Sequence, residues 1–294
     1  MKRWLFVSAM VLAAGGALYY SERHKIVNRV GPEAVLTAAA EVQKEVSHPA
    51  ARIVRLSDQE EIEVGNSLAQ RYVSGAWAGN GENEQVEKYV NTVGRHVAAR
   101  AHRKFDYKFH YIPDASFINA FALPGGQIFI GKGLMALMDT EDQLAGVLGH
   151  EVEHADHYDC NERVALRNLP FGELLQLPIA LFQAGYSKEQ EMEADRDGTA
   201  LAVMAGYSPQ GAVRMFQTFE RLNREYVQKA ESPQEELSQV AIQTLEGYFR
   251  SHPLPLEREH QIQALIISEK WPERKERPLK VRVEGAKAEA TKGQ

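Results

Sequence analysis

The stretch GVLGHEVEHADHYDC, residues 146–160, constrains the fold more than any other part of the 294-residue chain. It follows the capping-box sequence TEDQ, which predicts a helix that begins at Thr140 and continues through His154. At 3.6 residues per turn, His150 and His154 lie on one face of that helix, one turn apart. Two imidazoles in this arrangement can converge on a single metal ion.

Glu151 lies between the two histidines in the sequence but is rotated by about 100° from His150 around the helix axis. It can therefore stand beside a bound ion and accept a proton from water without ligating the ion. The resulting HExxH spacing is typical of zinc peptidases, in which the glutamate is the general base. The alternative is a pair of histidines on an amphipathic helix that bind no metal, which the apolar Leu144 and Val147 on the preceding turns make less favourable.

The third metal ligand has to come from another segment. On a straight helix His157 lies about 10 Å along the axis from His150, too far to share one ion. Cys160 could ligate zinc, but no glycine turns the chain back after the second histidine, as in the HExxHxxGxxH pattern. Neither residue is therefore predicted to be a ligand.

A second helix, begun by the capping box SKEQ at Ser187, offers a better candidate. Glu191 and Asp195 are four residues apart on this helix and face the same way, whereas Glu193 points elsewhere and is expected to be solvated. We expect Glu191 to be the third ligand and Asp195 to hydrogen-bond a ligating imidazole. Two histidines and one glutamate leave the fourth tetrahedral position open, as in catalytic zinc sites, so one Zn²⁺ per chain is predicted.

Four motifs in this order, NAFALPGGQIFI, EDQLAGVLGHEVEHA, EMEADRDG and SHPLPLERE, resemble those of the HtpX/BepA-like zinc metallopeptidases, relatives of the CAAX prenyl proteases. The resemblance covers about residues 57–270 and is strongest to the soluble envelope branch. It implies that His150, His154 and Glu191 bind zinc, that Glu151 is the catalytic base and that Asp195 supports the site.

The resemblance also bears on residues outside the ligand set. His252 corresponds to a family histidine that can approach the zinc, which implies a regulatory or oxyanion-contacting role; an ordinary histidine in a proline-rich turn is the alternative. Many relatives have Arg-His where this chain has Tyr158–Asp159, so the role of that pair stays open.

The expected fold class is α+β and mainly helical, a zincin-like metallopeptidase domain with a small antiparallel sheet. FDYKFHYI at 105–112 alternates like a half-buried strand, and 118–134 predicts two strands around a Pro-Gly-Gly turn. The second of these strands contains Gln127, Ile128, Phe129 and Ile130. We expect it to be an exposed edge that pairs with an extended substrate, with an ordinary core strand as the alternative.

The chain is divided by prediction into four regions. Residues 1–20 combine Lys2 and Arg3 with an uncharged run and read as a signal peptide or a membrane anchor. Residues 21–56 are a linker with a short helix, 57–271 the metallopeptidase domain, and 272–294 a charged, disordered tail. The N-terminus indicates export to the periplasm or cell envelope, with anchoring to the inner membrane through residues 4–20 as one option.

A formal net charge of −6 without a basic stripe argues against nucleic acid as a partner. A single cysteine excludes both an intramolecular disulfide and a cysteine-cage zinc site. The predicted function is a zinc-dependent metalloendopeptidase acting on unfolded or misassembled envelope proteins, with the membrane as a contact of the N-terminal segment. The alternative is a chaperone or assembly factor whose zinc site is latent.

Overall fold

A computed structural model describes residues 55–74, 81–165, 170–183, 185–229, 252 and 255–284. The expected signal peptide or anchor at 1–20 and nearly all of the expected linker lie outside these residues. Within them, no helix is both long enough and apolar enough to cross a membrane.

The described residues are mainly helical and include one small sheet. The helices are α1 (Asp58–Ser74), α2 (Gly81–Ala98), α3 (Lys132–Met135), α4 (Glu141–Asp156), α5 (Asp159–Ala165), α6 (Phe171–Leu174), α7 (Lys188–Met204), α8 (Gln210–Lys229) and α9 (Pro255–Ser268). The strands are β1 (Lys108–Ile112), β2 (Ala120–Leu123) and β3 (Gln127–Gly131). This agrees with the expected α+β class.

Capping boxes set the start of the two helices that matter most for the site. Thr140 accepts from the amide of Gln143 at the start of α4, and Ser187 accepts from the amide of Gln190 at the start of α7. In both boxes the glutamine Oε1 accepts a hydrogen bond from the backbone amide of the capping residue. Each cap satisfies amide groups that would otherwise have no partner in the first turn.

The sheet is mixed rather than antiparallel, which corrects one expectation. Its strand order is β1-β3-β2, with β2 antiparallel and β1 parallel to β3. The Pro-Gly-Gly turn forms the antiparallel hairpin as predicted. The parallel pairing arises because the chain crosses over between β1 and β3, a non-local choice that strand patterns do not encode.

The prediction that Gln127, Ile128, Phe129 and Ile130 form an exposed sheet edge is wrong. These residues lie in β3, the central strand, whose backbone is paired on both sides. All four side chains are buried: Ile128 and Ile130 face one hydrophobic cluster and Phe129 faces the other. β3 is therefore a core strand covered on both faces, and its backbone has no free edge for a peptide.

The two hydrophobic clusters explain how the sheet supports the site. On one face, Ile128 and Ile130 pack with Leu144 and Leu148 of α4 and with Val90 of α2. The other face packs against α1 and the 171–182 region. One side of α4 thus lies on the sheet, and α7 and α8 pack against the other sides of α4.

The prediction of a disordered tail from Pro272 is wrong as far as Glu284, the last described residue of that segment. Pro278 forms a β-bridge with Thr140, the cap of α4, and Leu279 is buried. The amide of Glu141 donates to the carbonyl of Arg277, and the amide of Arg277 donates to the buried carboxylate of Asp142. This charged segment is ordered by backbone pairing, which composition does not reveal. Residues 285–294 lie outside the described residues.

Candidate metal centre

The candidate site lies where α4 and α7 cross. Their backbones approach closely at Gly149 and Gly198: a Cβ atom at Gly149 would lie 2.4 Å from the carbonyl oxygen of Gly198, and one at Gly198 would lie 2.5 Å from the amide nitrogen of His150. No side chain larger than hydrogen fits between the helices at this point. The crossing brings the histidine face of α4 against the first two turns of α7.

Three side chains from the two helices converge there. His150 Nε2 and His154 Nε2 are 3.1 Å apart, and they lie 3.5 and 3.6 Å from the two carboxylate oxygens of Glu191. Ligand atoms bound tetrahedrally at about 2.0–2.2 Å from zinc are separated by about 3.3–3.6 Å. All three side chains are buried, and among the described residues Glu191 Oε1 has no hydrogen-bond partner. The donor set therefore fits a divalent cation of zinc's size.

The other nitrogen of each histidine faces a carboxylate. His150 Nδ1 lies 2.8 Å from Asp195 Oδ1, at ion-pair distance but outside hydrogen-bond geometry. His154 Nδ1 lies 2.8 Å from Asp159 Oδ2, a residue whose role the sequence left open. Asp159 follows the end of α4 by three residues, so no helical periodicity relates it to His154. Carboxylates in this position fix the tautomer and ring orientation of a ligating histidine.

Arg258 on α9 is a site residue that sequence reasoning missed. Its guanidinium donates to both oxygens of Asp195, at 2.5 and 2.7 Å, and its Nη1 lies 3.3 Å from Glu191 Oε2. Burial alone would raise the pKa of Asp195 and of Glu191, but Arg258, together with His252 in the case of Glu191, lowers both. In the sequence it is one charged residue among several in PLEREH, and only its contacts with Asp195 and Glu191 distinguish it.

Burial and charge act differently on the two histidines. Burial alone lowers the pKa of His150, but Asp195 and Glu191 outweigh it and raise this pKa to about 10. Burial and the neighbouring His150 lower the pKa of His154 well below its usual value. The carboxylates around His150 therefore favour a positive charge beside them, which a metal ion can supply in place of the proton.

Glu151 and His252 lie beside the three converging ligands. Both side chains are buried, and Glu151 Oε2 has no hydrogen-bond partner among the described residues. His252 Nδ1 is 2.9 Å from Glu191 Oε2, and its Nε2 is 3.7 Å from Glu151 Oε1. The imidazole of His252 thus lies between Glu151 and Glu191, and it joins His150, His154 and Glu191 as a fourth group able to contact one ion.

The residues that the sequence set aside stay apart from this group. His157 lies 3.0 Å from Glu153 and 3.1 Å from Asp197, while Arg196 donates to both oxygens of Asp197. A protonated His157 and an arginine already balance these two carboxylates, so the cluster is an ion-paired contact between α4 and α7.

Cys160 and Glu193 are likewise outside the ligand group. The Cys160 sulfur is buried 3.3 Å from the hydroxyl of Tyr186, and Glu193 is exposed on α7. The Tyr186 ring stacks on the imidazole of His154, with 3.9 Å between ring centroids. Cys160 therefore supports the packing behind His154 and does not face the other ligands.

Residues 84–266 match the model of peptidase family M48, which is more than half of the chain. The chain is a member of peptidase family M48. The M48 match includes α4, α7 and Arg258, and so contains every residue of the centre described above.

Several proteins of known name are similar to this M48 chain. It is 30% identical to a putative beta-barrel assembly-enhancing protease of Vibrio cholerae over 59% of this chain and 37% of that protein. It is 34% identical to mitochondrial metalloendopeptidase OMA1 of Arabidopsis thaliana over 36% of this chain and 24% of that protein. The similarity to the OMA1 of Schizosaccharomyces pombe is 24% over 73% of this chain and 62% of that protein. The chain thus spans less than two thirds of the length of each of these relatives.

Proposed function

We propose that the chain is a zinc-dependent metalloendopeptidase. The observation that carries the proposal is the convergence of His150, His154 and Glu191, whose ligand atoms lie 3.1–3.6 Å apart, with the carboxylate of Glu151 beside them. Membership of a peptidase family supports the same reading. Asp195 and Arg258 complete the centre by holding His150 and Glu191.

The chemistry divides between the metal and the protein. A bound zinc ion would polarise a water molecule and the carbonyl of the scissile peptide. Glu151 accepts a proton from that water while the water oxygen attacks the carbonyl carbon. Glu151 then donates the proton to the leaving nitrogen as the C–N bond breaks. Glu151 Oε2, which is buried and has no hydrogen-bond partner in the part of the chain that the structure describes, is the atom available for this transfer.

A small, mainly apolar cleft adjoins Glu151 and His150, lined by Val147 of α4 and by Ala212 and Met215 of α8. Such a cleft suits an apolar side chain of the substrate next to the reacting bond. We propose unfolded or misassembled envelope proteins as substrates, a proposal supported by the relatives named for beta-barrel assembly and by the export features of residues 1–20. The proposed location is the periplasm or cell envelope, with residues 4–20 as a membrane contact.

The test is a pair of substitutions measured for both metal content and cleavage. Glu151→Gln should keep one zinc per chain and lose casein cleavage by about 10³-fold or more, because the general base is gone while the ligands remain. Glu191→Ala should lose zinc and activity together. Glu193→Gln, on an exposed position of the same helix, is the matched control and should change neither. A wild-type protein without zinc, or a fully active Glu151→Gln, would contradict the proposal.

The second candidate, a chaperone or assembly factor with a latent zinc site, is favoured by the position of His252. Its imidazole lies between Glu151 and Glu191, within reach of the same ion as His150, His154 and Glu191. We propose that this arrangement is a closed state of the peptidase. If so, His252→Ala should raise casein cleavage at unchanged zinc content.

The same substitution separates the two roles considered for His252. A histidine that contacts the developing oxyanion predicts a fall in kcat of about 10²-fold instead, as for other oxyanion contacts. A latent, non-enzymatic site predicts that neither wild type nor His252→Ala cleaves casein, while client binding survives Glu151→Gln.

A further inference from the structure

His154 has to present an unprotonated Nε2 to a metal ion, so its single proton must be on Nδ1. The acceptor for that proton is Asp159 Oδ2, at 2.8 Å. The side chain of Asp159 is only 6% exposed. The ring of His154 is therefore held from behind by a residue that belongs to neither ligand helix.

The direction of the Asp159 carboxylate is itself fixed by α7. Gln190 Nε2 donates to Asp159 Oδ1 at 2.7 Å, while Gln190 Oε1 accepts from the amide of Ser187 at 3.1 Å. Because the amide oxygen of Gln190 is engaged by the helix cap, only its NH₂ group can face Asp159. Two hydrogen bonds thus connect the capping box of α7 to His154: Gln190 donates to Asp159, and Asp159 accepts from the imidazole.

A backbone feature next to Asp159 points the same way. Tyr158 has φ +68°, a left-handed conformation that is unfavourable for a residue with a side chain. It turns the chain at the end of α4, so that Asp159 comes back to His154. The Tyr158 ring packs against the guanidinium groups of Arg103 and Arg55, with their carbons 3.9 and 4.2 Å from the ring centroid. Unfavourable backbone conformations that the surroundings maintain are concentrated at functional sites.

We propose that Asp159 is a positioning residue that selects the metal-binding tautomer of His154, and that Gln190 orients its carboxylate. The cap of α7 and the histidine of α4 would then set each other's geometry, so that the ligands from both helices are ordered together. The consequence for zinc affinity rests on the proposed function, but the tautomer does not.

Asp159→Asn tests the proposal sharply because Gln190 fixes which way the new amide must point. Gln190 still donates, so the asparagine oxygen has to face it and the asparagine NH₂ has to face His154 Nδ1. Two donors then oppose each other, so the proton of His154 should move to Nε2, the ligand atom. His150 Nε2, 3.1 Å away, is the acceptor for it when the proton of His150 is on Nδ1, toward Asp195. Zinc affinity should fall by about 10–100-fold, the usual effect of removing such a partner.

The double variant Asp159→Asn/Gln190→Glu should turn the asparagine amide the other way round. The carboxylate introduced by Gln190→Glu can accept both from the amide of Ser187 and from the asparagine NH₂, and a glutamate is also a normal capping-box residue at this position. The asparagine oxygen then faces His154 and restores the Nδ1–H tautomer, with zinc affinity within about 3-fold of wild type. Asp106→Asn, at an exposed ion pair with Arg95, is the control for an aspartate-to-asparagine change and should alter neither property.

Two measurements decide the outcome. Nitrogen-15 chemical shifts of His154 in the metal-free protein give the tautomer, and chelator competition gives zinc affinity. An Nδ1–H tautomer and wild-type zinc affinity in Asp159→Asn would overturn the proposal. If that variant does not fold, the double variant decides alone, and an Nε2–H tautomer in it overturns the proposal. A wild-type chain that binds no zinc would refute the peptidase function. The tautomer of His154 would still be tested by the nitrogen-15 shifts of the metal-free variants.

Discussion

At the scale of single residues, the centre is a buried set of carboxylates whose charge is only partly compensated. Glu151, Glu191, Asp195 and Asp159 are all buried. Arg258 contacts Asp195 and Glu191, and His150, whose pKa these two carboxylates raise to about 10, faces them as well. Burying charges is unfavourable unless they are paired or bind a metal. The arrangement is therefore that of a cation site, in which a divalent ion balances charges that the protein alone leaves in excess.

A pH effect on stability should come from His157, which faces Glu153, Asp197 and the nearby Asp159. Burial lowers its pKa, but Asp197 and Glu153 outweigh burial and raise the pKa to about 10. A histidine whose pKa is higher in the folded than in the unfolded protein stabilises the fold. The full contribution is present below the unfolded-state pKa of about 6.5, and it is lost as the pH rises through the folded-state pKa. His157→Gln should thus lower the free energy of unfolding by about 1 kcal/mol at pH 6, and by less at pH 10.

Urea unfolding of metal-free wild type and His157→Gln at pH 6, 8 and 10 measures this difference. Using the difference between the two proteins cancels the titration of groups that they share. A stability difference that stays constant, or grows with pH, would show that His157 is not charged in the folded state.

At the scale of secondary structure, the site depends on how closely α4 and α7 pack. The closest approach, at Gly149 and Gly198, lies directly beside His150 and one turn from Asp195. The two capping boxes fix where each helix begins, and therefore which residues reach the crossing in register. Ligand geometry in this protein is set by the spacing of two helices.

Gly198→Ala should separate the helices, because its methyl group would lie 2.5 Å from the backbone nitrogen of His150. We expect a loss of about 1–3 kcal/mol in the free energy of unfolding from overpacking. Zinc affinity should fall by at least about 10-fold, since Glu191 moves with α7. Both are measured on one preparation, by urea unfolding and by chelator competition.

Gly172→Ala is the matched control, because an added Cβ there meets no atom within 4 Å. It should keep wild-type stability and zinc affinity. If Gly198→Ala bound zinc as tightly as this control, close packing of the two helices would not be what sets the ligand geometry.

At the scale of the whole molecule, a C-terminal segment secures the start of the metal-binding helix. Residues 277–279 pair with the backbone of residues 139–141, and the carboxylate of Asp142 accepts from the amides of both Arg277 and Ser208. The first turn of α4 is thereby joined to two segments that are distant in sequence. The helix carrying both histidines is fixed at its beginning by the end of the described chain.

Deleting residues 272–294 should therefore destabilise the domain, whereas deleting only 285–294 should not. The longer deletion removes the buried Leu279, whose burial contributes about 2 kcal/mol, together with the backbone hydrogen bonds to α4. Thermal unfolding of the two truncated proteins gives the comparison. Equal Tm values would mean that the segment is not part of the cooperative fold, as its charged composition first indicated.

The sequence by itself determined the features that depend on short-range geometry. The period of a helix placed His150 and His154 on one face, capping boxes marked the starts of α4 and α7, and a spacing of four paired Glu191 with Asp195. These are local rules, in which a few neighbouring residues decide the outcome. Glu191, the predicted third ligand, lies close to both histidines in the structure. The sequence correctly identified both helices involved, α4 with the histidines and α7 with Glu191.

Only the tertiary structure decided which distant segments meet. It made β3 the central strand, ordered the charged residues up to Glu284, and brought Asp159 and Arg258 to the centre. Strand order and long-range backbone pairing leave no periodic trace in a sequence. A buried charge partner looks like any solvated aspartate or arginine until folding removes the water around it, because burial is a property of the whole packed molecule.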